Sequence, residues 1–172
     1  MTARQSLLTD ELRRWIGRQA RYTAPEEVGR ASIRYFALAL GDDNPLYQDE
    51  TFAGQTRFGG IVAPPTLICE TSQHYHRQAD DYGYIGHTWD LPLPPSRLIR
   101  GGNEYQFFQP VRPGDRITAT WRIGDIYERA TGRGGFLLFV ISEVTYHNQD
   151  GELLASNRET VMYQPLGDGD VR

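Results

Sequence analysis

Cysteine is nearly absent: Cys69 is the single one in 172 residues. A disulfide within the chain is impossible, and a cysteine-built metal site is excluded. No excess of positive charge exists either. Eighteen Lys and Arg stand against 22 Asp and Glu, a net charge of −4, so no broad basic footprint for nucleic acid is expected. No apolar run is long enough to span a bilayer. The opening stretch MTARQSLLTDELRRWIG has no apolar core ahead of Asp10 and Glu11, so a secretory leader is not expected. The expectation is a soluble cytoplasmic protein of one domain, long enough to bury a core without staples.

What is present falls into two halves. The first half reads as helices. Thr9 is placed to cap a short helix, with Asp10 and Glu11 in its first turn and Leu12, Trp15 and Ile16 at helical spacing. Residues 21–28 read as extended, with Pro25 against a long helix. A second helix is predicted over 29–40, with Ile33, Phe36, Ala37 and Leu40 on one face and Gly41 ending it. A short helix is expected at DETFA. The prolines of APPTLICETSQHYHRQ mark the start of a buried central helix over 65–79. From about residue 98 the pattern changes to period two. EYQFFQPV, RITATWRIGDIYE, GFLLFVISEVTYH and ELLASNRETVMYQ read as four strands of an antiparallel meander, punctuated by RPGD, TGRGG and NQDG. In the last strand Leu153, Ala155, Val161 and Tyr163 alternate with Ser156, Arg158 and Thr160, with some slippage. Helices followed by long antiparallel strands give an α+β class, with the sheet wrapped around the central helix. Such a sheet leaves edges that invite a second chain.

The stretch GDDNPLY, Gly41 to Tyr47, carries the densest chemistry. Gly41 closes a helix, Asn44 suits an Asx turn, and Pro45 fixes its own φ. One reading is turn chemistry at a helix end. The other is a carboxylate held rigidly as a general base.

FALALGDDNPLYQDETFA is similar to the signature of the MaoC-like (R)-specific hydratases and dehydratases, which runs G-D-x-N-P-x-H with a later Ala. Gly41, Asp42, Asn44, Pro45, Asp49 and Ala53 fall in register. EYQFFQPVRPGDRITATWRI resembles the family's block ending in P-V-x-x-G-D. The likeness covers roughly residues 20–165. It implies a single hotdog fold over 20–166, preceded by a helical extension, 1–19, and followed by a tail, 167–172. It also implies an activity. In the family, the Asp and His of the motif hold a water that adds across the double bond of an enoyl thioester, or leaves in reverse. A backbone N–H at the start of the central helix polarises the thioester carbonyl.

Two departures stand out. Asp42 fills the aspartate position, but Tyr47 stands where the family has His, and a phenol is a poor base near neutrality. The family's His-Gly at the helix start is Ala63-Pro64 here, followed by Pro65, and proline has no N–H. Thr66 offers the first remaining donor, unless a slipped alignment brings in Gly60 or Ile61. Both losses resemble the sister hotdog of two-part hydratases, which completes the acyl pocket while its partner does the chemistry. The resemblance therefore implies a subunit handling enoyl or (R)-3-hydroxyacyl thioesters, as a homodimer or with a catalytic MaoC-like partner. Asp42 and Tyr47 are the candidate catalytic residues. Asn44, Gly60, Pro64, Thr66 and Gly102 are the candidate substrate-binding residues. A self-sufficient enzyme using Asp42 and a non-catalytic thioester-binding protein remain alternatives.

No metal or redox cofactor is implied; coenzyme A or an acyl carrier protein would carry the acyl group. His74 and His76, two apart on the predicted helix, would point to different faces, which does not suit a metal pair. His87 reads as a surface or structural histidine, or as a base reaching in from elsewhere. Cys69 reads as core. Glu70 reads as an ion-paired or capping residue. Gly101-Gly102 read as a bulge, or as room for an acyl or pantetheine chain. Arg97, Arg100, Arg112 and Arg116 gather near the first long strand, as solvated charge or as contacts for phosphates or an acidic carrier protein.

Overall fold

A computed structural model describes residues 6–80, 83–132 and 135–166. The tail 167–172 and part of the TGRGG turn lie outside the described residues. Helices come first: α1 (Asp10–Arg13), then strand β1 (Gln19–Thr23), α2 (Arg30–Leu40), α3 (Glu50–Gly54) and α4 (Leu67–Thr71). Four long strands follow: β2 (Ser96–Phe107), β3 (Thr118–Ala130), β4 (Phe136–His147) and β5 (Leu153–Pro165). This is the expected α+β order.

The short helices form where their caps dictate. The Thr9 side chain accepts from Leu12 N–H at 3.2 Å and starts α1, as predicted. Ser32 exchanges two hydrogen bonds with Gly29 at the start of α2. Ile33 and Ala37 bury the inner face of α2, while Leu40, expected there too, is exposed in the last turn. Gly41 ends the helix in the left-handed conformation, φ 69°.

The sheet corrects the sequence reading at two points. Its order is β1-β3-β4-β5-β2, all antiparallel. Only β3, β4 and β5 form the meander; β2 lies beside β5, at the far edge from its successor β3. The RPGD turn is therefore no hairpin. It belongs to a crossing segment, 108–117, tied down by Asp115. That buried carboxylate accepts from Arg112 N–H at 2.7 Å and from the Asn148 amide at 3.4 Å. The extended reading of residues 21–28 holds at its start, where 21–23 belong to the edge strand β1 on β3.

The second correction concerns the central helix. It was predicted over 65–79, but α4 has five residues and ends at Thr71. His74 and His76 consequently leave helical geometry, and their rings stack with centroids 5.8 Å apart rather than facing apart.

One face of the sheet carries the core, in two clusters. The larger packs α2, the 45–47 turn, α3 and α4 on Ala119, Trp121, Val144 and Ala155. The smaller packs Leu12 of α1 on Ile123, Ile126, Leu138 and Val140, with Leu91 and Leu93 alongside. The two clusters meet over rows of paired residues. Trp121, Val144, Asn157 and Tyr105 form one row; Ile123, Ser142, Glu159 and Asn103 form the next. No helix of the described residues is long and apolar enough to cross a membrane.

Candidate functional site

The Asp42–Tyr47 loop is built by its own side chains. Asp42 N–H closes back on Ala37 O at 2.9 Å. Asp42 Oδ1 accepts from Asn44 N–H at 3.1 Å, and Asn44 Oδ1 accepts from Leu46 N–H at 3.1 Å. These are two successive Asx turns, and Pro45 opens a single 3₁₀ turn over 45–47. Asp49 then caps α3 by accepting from Phe52 N–H at 2.9 Å. Ala53 is fully buried in the larger core cluster. Every matched position of the motif thus has a local structural task as well.

Tyr47 is driven inward by this turn and is buried. Burial raises its phenol above the ordinary value of 10.0, the nearby Asp42 charge adds to that, and the Asn44 side chain opposes it. Near neutrality the phenol keeps its proton. It does not act as a base.

Opposite lies the start of α4. Ala63 N–H is consumed by Val111 O at 2.8 Å, and Val62 N–H points to Leu46 O at 3.4 Å. Pro64 and Pro65 have no N–H. Thr66 N–H donates to nothing among the described residues and is exposed. A groove of about 270 Å³ runs between, lined by Tyr47, Phe58, Val62, Pro65, Ile68 and Phe107 among others. The structure thus brings Tyr47 and Pro65 to one groove. Asp42, Asn44, Gly60, Pro64 and Thr66 lie outside its lining.

Gly102 is elsewhere. It lies in a β-bulge of β2, where the register on β5 shifts between Arg100 and Gly102. The close backbone approach is at Gly101, where a Cβ would meet the Thr160 methyl at 2.9 Å. His87 does not line the Tyr47 groove. It is tilted over Trp121 at 4.6 Å and edge-on to Trp89 at 4.6 Å, with its Nε2 unpartnered. Burial, with His74 and Arg77 nearby, lowers its pKa to about 4 against the pull of Asp90. Cys69 lies between core and solvent and donates to Tyr105 Oη at 3.2 Å. Glu70 makes no ion pair among the described residues; it accepts from the Tyr75 hydroxyl at 3.0 Å. Arg100 and Arg116 are paired, with Glu159 at 3.4 Å and Glu27 at 3.6 Å. Among the described residues no group of three or more His, Cys, Asp and Glu is gathered for a metal ion.

Reading the sequence missed a second set of polar residues. Asn103, Tyr105, Tyr146, Asn157 and Glu159 line a separate cavity of about 190 Å³, together with His87. Its signal was in the last strand. The inward phase that runs through Ala155, Val161 and Tyr163 also contains Asn157 and Glu159, two polar residues on a core face.

Residues 14–157 match the family described as "FAS1-like, dehydratase domain region". A UPF0336 protein of Streptomyces coelicolor is 36% identical over 80% of this chain and 84% of its own length. A UPF0336 protein of Saccharopolyspora erythraea is 31% identical over 86% and 88%. Among solved structures, the ChsH1–ChsH2 complex of Mycobacterium tuberculosis superposes with a TM-score of 0.69 at 21% identity, covering 88% of this chain and 90% of that one. A MaoC-like dehydratase of Rhodospirillum rubrum gives 0.64 at 21%, over 88% and 94%. The C-terminally truncated HadBC complex of M. tuberculosis, described as a 3R-hydroxyacyl-ACP dehydratase, gives 0.63 at 24%, over 86% and 96%. The fold is the single hotdog that the motifs implied.

Proposed function

The chain belongs to the FAS1-like dehydratase-region family, and from that premise we propose that it is the acyl-binding half of a two-chain hydratase/dehydratase acting on enoyl or (R)-3-hydroxyacyl thioesters. The observation that carries this reading is the Tyr47 groove. Its one titratable residue at the histidine position is a buried phenol that holds its proton, and the helix start beside it offers no free N–H before Thr66. Addition of water needs a base to take the water's proton and donors to hold the charge that grows on the carbonyl oxygen. A partner hotdog with an intact Asp and His would provide both, while this chain provides an apolar wall for the acyl group. Solved two-chain relatives of the fold make such pairing sterically reasonable. Coenzyme A or an acyl carrier protein would present the thioester, and no metal or redox cofactor enters the scheme. A cytoplasmic location is part of the same reading.

A second reading has one observation in its favour. Thr66 N–H is free, and Asp42 is retained, so a homodimer would hold a carboxylate and a single donor. The two readings separate in one assay. The purified chain is mixed with medium-chain trans-2-enoyl-CoA and the loss of enoyl absorbance is followed, with Asp42→Asn as control. No turnover by the folded chain alone, and turnover once a catalytic partner is added, is the expected result. Turnover by the chain alone that disappears in Asp42→Asn overturns the two-chain reading.

A further inference from the structure

The polar cavity of about 190 Å³ is out of place in a hotdog core. It lies where the two apolar clusters meet, on sheet rows that α4 ends too early to cover. Its floor is polar by sequence: Asn157 and Glu159 of β5 pair with Tyr105 and Asn103 of β2. Asn157 is 5% exposed, its Nδ2 donates to Asn103 Oδ1 at 2.8 Å, and its Oδ1 has no partner. Turning both amides over would leave Nδ2 unpartnered instead, so one end of this buried amide is always free. His87 Nε2, also buried and unpartnered, belongs to the same lining. Buried polar atoms left this way are costly unless something else satisfies them.

The geometry points to this cavity as the seat of a neutral, hydroxyl-bearing group, and, resting on the two-chain reading above, to a substrate whose acyl chain carries a hydroxyl remote from the thioester. Charge decides against an ion. Arg100 and Glu159 already face each other at 3.4 Å, so an anion would meet the Glu159 carboxylate and a cation the guanidinium. An unsubstituted chain end would leave Asn157 unpaired. A hydroxyl both donates and accepts, and so satisfies either end of the amide. The two cavities also lie along one strand. Phe107 lines the groove beside Tyr47, Tyr105 and Asn103 line this cavity, and the Tyr105 and Phe107 rings stack at 5.6 Å. Four residues of extended strand separate Phe107 from Asn103, roughly 13 Å, a distance that an extended acyl chain can span. Ile68 and Cys69, neighbours on α4, line one cavity each.

The test is calorimetric titration of the chain with a medium-chain acyl-CoA and with its ω-hydroxy counterpart. The hydroxylated thioester should bind at least about tenfold tighter, a preference worth about 1.4 kcal/mol. Asn157→Leu should cut that preference below about twofold while leaving the plain thioester's affinity unchanged or higher. The same variant should melt no earlier than the wild type, since it removes a buried amide whose Oδ1 has no partner, while Asn103, which loses the Nδ2 bond, is exposed and turns to water; a merely structural Asn157 would make it melt earlier. Should Asn157→Leu fail to fold, Glu159→Gln reads the same preference, with a loss of threefold or more expected. Equal affinities in the wild type, or a preference that survives both substitutions, overturns the hydroxyl site and leaves the thioester reading standing. If neither thioester binds, pentanol against pentane decides by the shift of the Asn157 side-chain amide resonances. A shift with the alcohol alone keeps the hydroxyl site and removes the thioester; no shift, or the same shift with both, removes both.

Discussion

At the scale of single residues, the proposed acyl-binding role rests on Tyr47 and the two prolines. Tyr47 occupies the place of a base but is held protonated, and Pro64 with Pro65 removes two donors from the helix start. Restoring one without the other should therefore fail. Tyr47→His alone is expected to give no enoyl-CoA turnover, because the carbonyl still lacks its donor, and one lost oxyanion donor costs about a hundredfold to a thousandfold. Tyr47→Phe should leave partner-assisted turnover within about threefold, since the phenol takes no proton in the two-chain scheme. Progress curves of enoyl absorbance check both. His87 supplies a pH prediction. Its pKa falls from 6.5 to about 4, chiefly by burial, with His74 and Arg77 adding and Asp90 opposing. The folded state thus refuses a proton that the unfolded chain accepts below pH 6.5. Stability from this residue is whole above that pH and drains as pH falls toward 4, by about 3 kcal/mol in total. Urea midpoints measured across that window should show the slope, and His87→Phe should flatten it.

At the scale of elements, the turns carry the fold. Gly41 adopts φ 69° with open space around its Cα, so Gly41→Ala should cost about 1 kcal/mol from backbone strain alone. The Asp of the P-V-x-x-G-D block is a lock rather than a reagent: Asp115 is buried and ties the crossing segment to the β4–β5 turn. Asp115→Ala should cost about 1–3 kcal/mol, because it leaves the Arg112 N–H without its acceptor and takes one of two acceptors from the Asn148 amide, which keeps Glu152 at 2.9 Å. Chemical denaturation reads both costs, and an Asp115→Ala protein as stable as the wild type would contradict the lock. The short α4 has the opposite sense. By stopping at Thr71 it gives up cover for the sheet and leaves the polar rows open.

At the scale of the whole molecule, the sheet ends at β2 and β1, and each edge strand pairs on one side only. Phe107 and Phe108 are large, exposed and next to the Tyr47 groove. An apolar rim beside an open edge suits a second hotdog. Size-exclusion chromatography with light scattering should accordingly show a dimer, and mixing with a catalytic hotdog partner should convert it to a heterodimer that gains turnover. A chain that stays monomeric in both cases would remove the two-chain reading.

The sequence alone determined what local rules determine. Caps, turn residues and period-two alternation placed α1, α2, α3 and the last three strands, while the first long strand, read over 104–111, runs over Ser96–Phe107 because β5 supplies its pairing partner; the GDDNPLY motif marked the loop whose Tyr47 lines the groove. These depend on neighbours a few positions away, so they are written in one dimension. Strand order was not legible, because β2 reaches β5 across more than forty residues and nothing local marks that choice. The length of α4 was not legible either. Helix-forming residues continue to Gln78, but His74 leaves the helical path to pack on Tyr22 and Trp121, contacts that only the assembled sheet offers. The polar cavity follows from both. Asn157 and Glu159 are ordinary strand residues until the tertiary structure pairs β5 with β2 and withholds the helix that would have covered them.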